Sequence, residues 1–202
     1  MRVLGFDAST STIGYGLVEC NDKYESLKLL RSGSWKPNKD LGVFEKLLEV
    51  RVWVQNLLEE TDADVVGIED FILFMKGFSS AKVISTLAIL NRTVGLTVLE
   101  ATGKSPILLP VLSIRHAIKK DKSPPSKEEV PATLEKILNC PPIVKFKKNR
   151  KGIDKAIEES YDEADGIAVA VAYCIKMRNG TLKLTPLKKK IKRKKSIKDE
   201  SL

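Results

Sequence analysis

The sequence predicts an α/β domain in which helices flank a mixed five-stranded sheet. Three extended segments come first, at Arg2–Asp7, Ile13–Cys20 and Leu27–Trp35, and their spacing is typical of an antiparallel meander. Helix and strand patterns then alternate, as in crossovers that add parallel strands to a sheet. The length of 202 residues accommodates one such domain with a short extension.

The remaining elements are predicted from hydrophobic spacing and from Pro and Gly positions. The segment 41–60 repeats apolar residues at helical spacing, so we expect an amphipathic helix packed against the sheet. Two further strands are predicted, at Asp64–Glu69 and Ile107–Leu112. The other predicted helices span 79–102, 114–120, 127–138 and 154–177, and a Pro- and Lys-rich connection, 139–153, precedes the last one.

Basic charge is concentrated at the C-terminal end of the chain. The formal net charge is +9, and residues 181–202 contain nine basic residues against two acidic ones. We therefore divide the chain into a domain, 1–180, and a flexible Lys/Arg-rich tail, 181–202. Such a tail favours binding to nucleic acid through counterion release. A solubilising terminus and a nuclear-localisation signal remain alternatives.

Several classes of protein are disfavoured by composition. Cys20, Cys140 and Cys174 are too scattered for a disulfide framework or a CxxC site, and they fit a reducing compartment. The single histidine, His116, disfavours a His-rich metal site. The longest strongly apolar run, Ile167–Ile175, is shorter than a membrane span, so we expect no membrane partner. We expect a cytoplasmic protein, or an organellar or nuclear one if its source is eukaryotic or viral.

Four acids from three separated segments are candidates for one site. Asp7 and Glu69 end predicted strands, and these ends meet at one sheet edge if the two strands are parallel neighbours. Asp162 and Asp165 are three residues apart on a helix and share the face that then becomes apolar. Gly166 follows them inside the helix, which suits close approach of the sheet or of a ligand. Carboxylates without His or Cys are the donors that Mg²⁺ or Mn²⁺ prefers.

The same segments resemble the RuvC-type Holliday junction resolvases, which have the ribonuclease-H-like fold. Val3–Glu19 (VLGFDASTSTIGYGLVE) is similar to the family's first strand, Asp and return strand. Val66–Phe74 (VGIEDFILF) is similar to the strand that ends in Ile-Glu, and Asp162–Cys174 (DEADGIAVAVAYC) to the Asp-x-x-Asp helix. Ile114–Lys120 and Ser126–Val130 look like the two basic segments between these motifs.

The resemblance implies a crossover junction endodeoxyribonuclease, a homodimer that nicks four-way (Holliday) junctions and other branched DNA symmetrically in recombination, repair or phage DNA processing. It implies two Mg²⁺ or Mn²⁺ ions per active site, and Lys127 as a catalytic cation near the scissile phosphate. The implied catalytic metal ligands are Asp7, Glu69, Asp162 and Asp165. The implied DNA-binding residues are Arg115, Lys119, Lys120, Lys127, Phe71 and Phe74.

Departures from the family pattern indicate a phage, viral or organellar member. Asp70 follows Glu69, the turn after Asp7 is Ala-Ser-Thr, and 139–158 is longer than expected. Three alternatives stay open: a nuclease of the same fold acting on RNA, a fragment of an actin-like or sugar-kinase-type ATPase, and a non-catalytic nucleic-acid-binding protein.

Two apolar features have both a buried and an exposed interpretation. Phe71 and Phe74 either stack on opened bases or are buried, under the long helix or at a dimer interface. The helix 79–102 has one apolar stripe, formed by Val83, Leu87, Leu90, Val94 and Val98. Ile84 and Leu96 lie off this stripe, which predicts a second apolar face for a partner subunit.

Overall fold

A computed structural model of the chain describes residues 1–9, 11–70, 81–119, 123–148 and 154–182. Its centre is a sheet of five strands, β1 (Arg2–Ala8), β2 (Ile13–Cys20), β3 (Leu27–Trp35), β4 (Val65–Asp70) and β5 (Ile107–Pro110). Their order across the sheet is β3-β2-β1-β4-β5. The first three strands are antiparallel, and β4 and β5 join parallel to β1. The predicted mixed sheet is confirmed.

Helices cover both faces of this sheet. One face packs against α1 (Val43–Thr61) and α2 (Ala81–Thr102), and the other against α3 (Val111–Ile118), α4 (Val130–Leu138) and α5 (Glu159–Arg178). The alternation of side chains along β1 explains this arrangement, because Leu4 and Phe6 enter the first core whereas Val3 enters the second.

Glycines allow α5 to lie directly on β1 and β2. A Cβ atom on Gly166 of α5 would be 2.5 Å from the backbone nitrogen of Tyr15, and one on Gly14 of β2 would overlap the carbonyl oxygen of Asp162. Side chains at these positions would push the helix away from the sheet. The predicted role of Gly166 in close approach is therefore confirmed.

The predicted start of the last helix is wrong by five residues. Asp154–Ala156 forms a strand, β7, which pairs with β6 (Phe146–Lys148) in a separate antiparallel hairpin. The connection 139–153, predicted to lack secondary structure, therefore contains β6. Pairing with β6 keeps 154–156 extended, and α5 begins only at Glu159.

Two other predicted boundaries are also wrong, and proline marks both. Pro110 ends β5 and precedes the first residue of α3, because it cannot donate to a strand ladder but tolerates a helix start. The strand therefore does not reach Leu112. Pro131 lies in the first turn of α4, and Ser126–Glu129 forms a turn before it. Lys127 is consequently in this turn rather than in the helix.

The predicted core face of α1 is partly wrong. Val50, Val54, Leu57 and Leu58 are buried, but three of the apolar residues whose helical spacing predicted a helix packed against the sheet are exposed. These are Phe44, Leu48 and Val52, which form a row at four-residue spacing. Both rows of α1 are apolar, so the periodicity alone does not identify the buried one.

The helix α2 also has a buried and an exposed apolar side. Leu90, Val94 and Val98 are buried as predicted, but Val83 is largely exposed, and Leu96 is 56% exposed. By length and composition alone, Val83–Thr102 is apolar enough to cross a membrane, and about a quarter of it (28%) is buried. The second apolar face predicted for this helix is present at Leu96.

Candidate active site

Strand register places Asp7 and Glu69 side by side. Phe6 of β1 pairs with Ile68 of β4, and both side chains enter the core under α1 and α2. Asp7 and Glu69 are the next residues of these parallel strands, so their side chains point to the opposite face, where α5 lies. The expectation that β1 and β4 are parallel neighbours is confirmed.

The first turns of α5 bring the other two acids to the same place. Asp162 and Asp165 lie where α5 passes over β2 at Gly14. The side chain of Thr12 hydrogen-bonds to Asp162. Thr12 is in turn held by Ser9, whose hydroxyl donates to its carbonyl oxygen at 2.8 Å and accepts from its N–H at 3.0 Å. The β1–β2 turn thus holds Thr12 in the position from which its side chain hydrogen-bonds to Asp162 of α5.

The four acids affect one another electrostatically. Burial raises the pKa of Asp7 well above its usual value, and the charges of Glu69, Asp165 and Asp162 raise it further. Burial and Asp165 raise the pKa of Glu69 to about 7, against the opposing effect of Arg115 and Lys127. Burial is the main cause of both shifts, and the charges of the neighbouring acids add to it.

Lys127 is the cation within this cluster. Its ammonium nitrogen lies 3.5 Å from Oδ2 of Asp165, whose side chain is 15% exposed. Desolvation lowers the pKa of Lys127, but Asp165, Asp162 and Asp7 outweigh it, and the pKa is raised. Burial likewise raises the pKa of Asp165 and Asp162, with Lys127 opposing the shift in both.

The other predicted DNA-binding residues are only partly described. Arg115, on α3, is close enough to Glu69 and Asp165 to oppose the rise in their pKa values. Lys119 is exposed at the end of α3. Lys120, Phe71 and Phe74 lie outside the described residues, as does nearly all of the predicted tail, and their roles stay predictions.

Asn91 is a site residue that the sequence analysis missed. It is buried on α2, and its amide nitrogen donates to the backbone carbonyl of Glu69 at 2.8 Å. The next residue, Arg92, pairs with Asp70 at 3.0 Å. Together they hold the end of β4, and the pair with Arg92 gives Asp70 a structural partner beside the acids.

The four carboxylates are the kind of oxygen ligand that a hard divalent cation prefers, although in this structure they do not form a preformed metal site. Within the part of the chain that the structure describes, no three His, Cys, Asp or Glu side chains form a group that would hold a metal ion. Nevertheless, Glu69, Asp165 and Asp162 lie close enough to Asp7 for their charges to raise its pKa, and Asp165 raises that of Glu69. A divalent cation would relieve this repulsion with the oxygen ligands that Mg²⁺ or Mn²⁺ favours.

Two curated relatives of this chain have the same name. No protein-family model matches the chain. The crossover junction endodeoxyribonuclease RuvC of a Prochlorococcus marinus strain is 26% identical over 144 residues, 70% of this chain and 88% of the relative. The RuvC of Aliarcobacter butzleri is 26% identical over 173 residues, 86% of this chain and 97% of the relative.

Solved structures agree with the sequence comparison. Thermus thermophilus RuvC in complex with a Holliday junction substrate has a TM-score of 0.66 at 20% identity, over 90% of this chain and 97% of that one. The predicted resemblance to RuvC-type resolvases is confirmed. A yeast mitochondrial Holliday junction resolvase has a TM-score of 0.56 at 15% identity, over 89% of this chain and 82% of that one. The ribonuclease-H-like fold of RuvC is therefore the fold of this chain.

Proposed function

We propose that this protein is a divalent-metal-dependent endonuclease that nicks four-way DNA junctions. The observation that carries the proposal is the convergence of Asp7, Glu69, Asp162 and Asp165 beside Lys127. Such a cluster suits hydrolysis of an anionic phosphodiester, for which RuvC relatives supply the substrate class. A non-catalytic binding protein would have no evident use for this set of acids.

Each side chain of the cluster has a distinct part in the proposed chemistry. The four carboxylates would hold one or two Mg²⁺ or Mn²⁺ ions. When bound, such ions lower the pKa of water and stabilise charge on phosphate oxygens. Lys127 reaches the cluster from the turn before α4 and would neutralise a phosphate oxygen next to the acids. Arg115 would add a second positive charge on the side of Glu69.

A groove beside the acids offers a path for the DNA backbone. It has a volume of about 830 Å³ and runs from Asp162 along the loop between β3 and α1. Lys36, Lys39 and Lys46 line it together with Lys127. Lys36 pairs with Glu159 at 2.5 Å, so part of this charge is balanced within the protein. The remaining lysines favour a polyanion over a neutral ligand.

The experiment is a nicking assay on synthetic four-way, three-way and linear DNA, with RNA duplexes and ATP as alternative substrates, in Mg²⁺ or Mn²⁺. We expect preferential nicking of the four-way junction and no ATP hydrolysis. Asp7→Asn should retain junction binding and lose nicking by about 1,000-fold or more. Normal nicking by this variant would show that the acid cluster is not the catalytic site, and faster cleavage of RNA would reassign the substrate.

We further propose that the protein acts as a homodimer through α2. Ile89, Leu96 and Leu99 are large apolar residues exposed on the side of α2 that faces away from the sheet. A two-fold contact between copies of this face would cover them. It would also provide two active sites for two symmetric nicks.

The Lys/Arg-rich segment 181–202 is proposed to add sequence-independent affinity for the same DNA, because its charge attracts any polyphosphate.

The bacterial source of the curated relatives supports a cytoplasmic site of action.

A further inference from the structure

The hairpin of β6 and β7 projects from the domain as an isolated ribbon. Phe146 pairs with Ala156, Lys147 with Lys155, and Lys148 with Asp154. All of these residues except Ala156 are exposed, and Phe146 is 63% exposed. Because both faces of the ribbon are open to solvent, the core does not account for its presence. A two-stranded hairpin is at best marginally stable alone, so it needs an anchor.

A buried carboxylate provides that anchor. Glu163 of α5 is 6% exposed, and both of its oxygens have partners. Ser32 of β3 donates to Oε1 at 2.7 Å, and the ammonium of Lys145 lies 2.9 Å from Oε2. The N–H of Ile157 also donates to the carbonyl of Lys145 at 2.8 Å. Because Glu163 directly follows Asp162, the ribbon is fastened beside the acid cluster.

The ribbon is positively charged, and Lys147 is close enough to Glu159, which lines the groove, to help lower its pKa. Its described residues contain Lys147, Lys148 and Lys155 against the single acid Asp154. Lys147 and Lys155 face each other across the strands, an arrangement of like charges that costs stability. Glu158, which lines the groove, lies 3.7 Å from Lys155 and offsets part of this repulsion. A bound polyanion would offset the rest.

We propose that the β6–β7 ribbon is a DNA-contacting element that lies along a duplex arm beside the cleavage site. A two-stranded ribbon has dimensions that fit the major groove of B-DNA. Side chains alternate along β6, so Lys147 and Lys148 contact phosphates on opposite walls of this groove, and Phe146, on the same face as Lys148, makes apolar contact with deoxyriboses there. The anchor at Glu163 fixes the distance from this contact to Asp162. The assignment rests on the proposed function, because it requires that DNA occupy the adjoining groove.

The test compares two double substitutions that remove equal charge. Lys147→Ala/Lys148→Ala alters the ribbon, and Lys23→Ala/Lys28→Ala alters exposed lysines at the sheet end away from Asp7, where Lys28 lies opposite Glu19. Junction binding is measured by fluorescence anisotropy over a range of salt concentrations, with Asp7→Asn added to both so that the DNA stays intact. The nicking rate at saturating junction is measured without that substitution.

The ribbon variant should bind the junction about tenfold more weakly than the control, with a slope of log affinity against log salt that is shallower by about two. Its nicking rate at saturation should equal that of the control, because the acids are untouched. Equal affinity and slope in both variants would overturn the ribbon contact, while wild-type nicking would leave the proposed function standing. Failure of the wild type to bind or nick any DNA would instead overturn the proposed function.

Discussion

The two faces of the central sheet are built differently. On one face α5 lies directly on β1 and β2 through glycine contacts and buries most of its length, and its first turns place two acids beside two strand ends. On the other face α1 and α2 pack on the sheet with bulky side chains, and each keeps an outer apolar row.

Under the proposed function, this difference would place catalysis on one face and dimer assembly on the other. Close packing of α5 positions charged groups within narrow limits, because a small displacement of the helix would separate Asp162 and Asp165 from Asp7 and Glu69. The other face carries an outer apolar surface and reaches the site only at the end of β4, where Asn91 of α2 donates to the carbonyl of Glu69. Four substitutions or changes of condition test the comparison.

The largest expected effect comes from the helical glycines, one on each face. Gly166→Ala places a methyl group against the backbone of β2 and should lower the free energy of unfolding by about 3 kcal/mol or more. Gly95→Ala on α2 meets only ordinary contacts with Pro106 and Ile68, and should raise it by about 0.5–1 kcal/mol through helix propensity. Urea unfolding measures both. Equal effects would remove the distinction between the faces.

A charge on the α2 face should separate the proposed dimer. Leu96→Glu places a carboxylate inside the apolar contact, and we expect the dissociation constant to rise about 100-fold. Leu112→Glu, on the exposed side of α3, serves as the matched reference and should leave association unchanged. Analytical ultracentrifugation distinguishes the two outcomes. A wild-type protein that is monomeric at all concentrations would contradict the proposed interface.

The metal-free protein should lose stability as the pH rises. Burial and neighbouring acids raise the pKa of Glu69 from 4.5 to about 7 and raise that of Asp7, so the folded state holds these protons more tightly than the unfolded chain does. For Glu69 the stabilisation is complete below about pH 4.5 and is lost as the pH passes through about 7, and Asp7 adds a loss in the same direction; one pKa unit corresponds to about 1.4 kcal/mol.

Denaturant unfolding in EDTA at several pH values measures this loss. Excess Mg²⁺ should restore more stability at about pH 8 than at about pH 5, because only deprotonated carboxylates bind it. Asp7→Asn should flatten the profile without metal. An unchanged profile in that variant would mean that the acids do not destabilise one another.

The smallest expected effect concerns the anchor of the ribbon. Lys145→Ala leaves one oxygen of the buried Glu163 without its partner and should cost about 1–2 kcal/mol. Arg51→Ala breaks an exposed ion pair with Glu100 on the α1–α2 face and should cost less than about 1 kcal/mol. Adding Glu163→Gln to Lys145→Ala should recover part of the lost stability, because it removes the unpaired buried charge. If the double variant is no more stable than Lys145→Ala, the anchor is not electrostatic.

Local patterns were enough to predict the sheet and the convergence of the acids. Asp7 and Glu69 each end a strand, and Asp162 and Asp165 have helical spacing, so strand direction and helix period determine their placement. The position of Gly166 inside a helix also predicted that another element approaches α5 closely there, and that element is β2.

Residues whose roles depend on distant partners were not predictable. In the sequence, Asn91 looks like any polar residue of a helix, because its partner, the carbonyl of Glu69, belongs to another element. Glu163 likewise looks like a solvated acid next to Asp162, because its partners Ser32 and Lys145 also lie outside α5. The outer row of α1 illustrates the same limit, because Phe44 has the apolar character of a core residue and lacks only a neighbour. Sequence periodicity describes a face, whereas the packing partner decides whether it is buried.

The order of the acids along the chain has a consequence for synthesis. Asp7 is synthesised well before Asp162 and Asp165, because β1 is the first element of the domain and α5 is the last. A growing chain therefore lacks the full set of carboxylates until α5 emerges and docks on β1 and β2. Under the proposed function, a polypeptide that stops short of α5 would be unable to cut DNA.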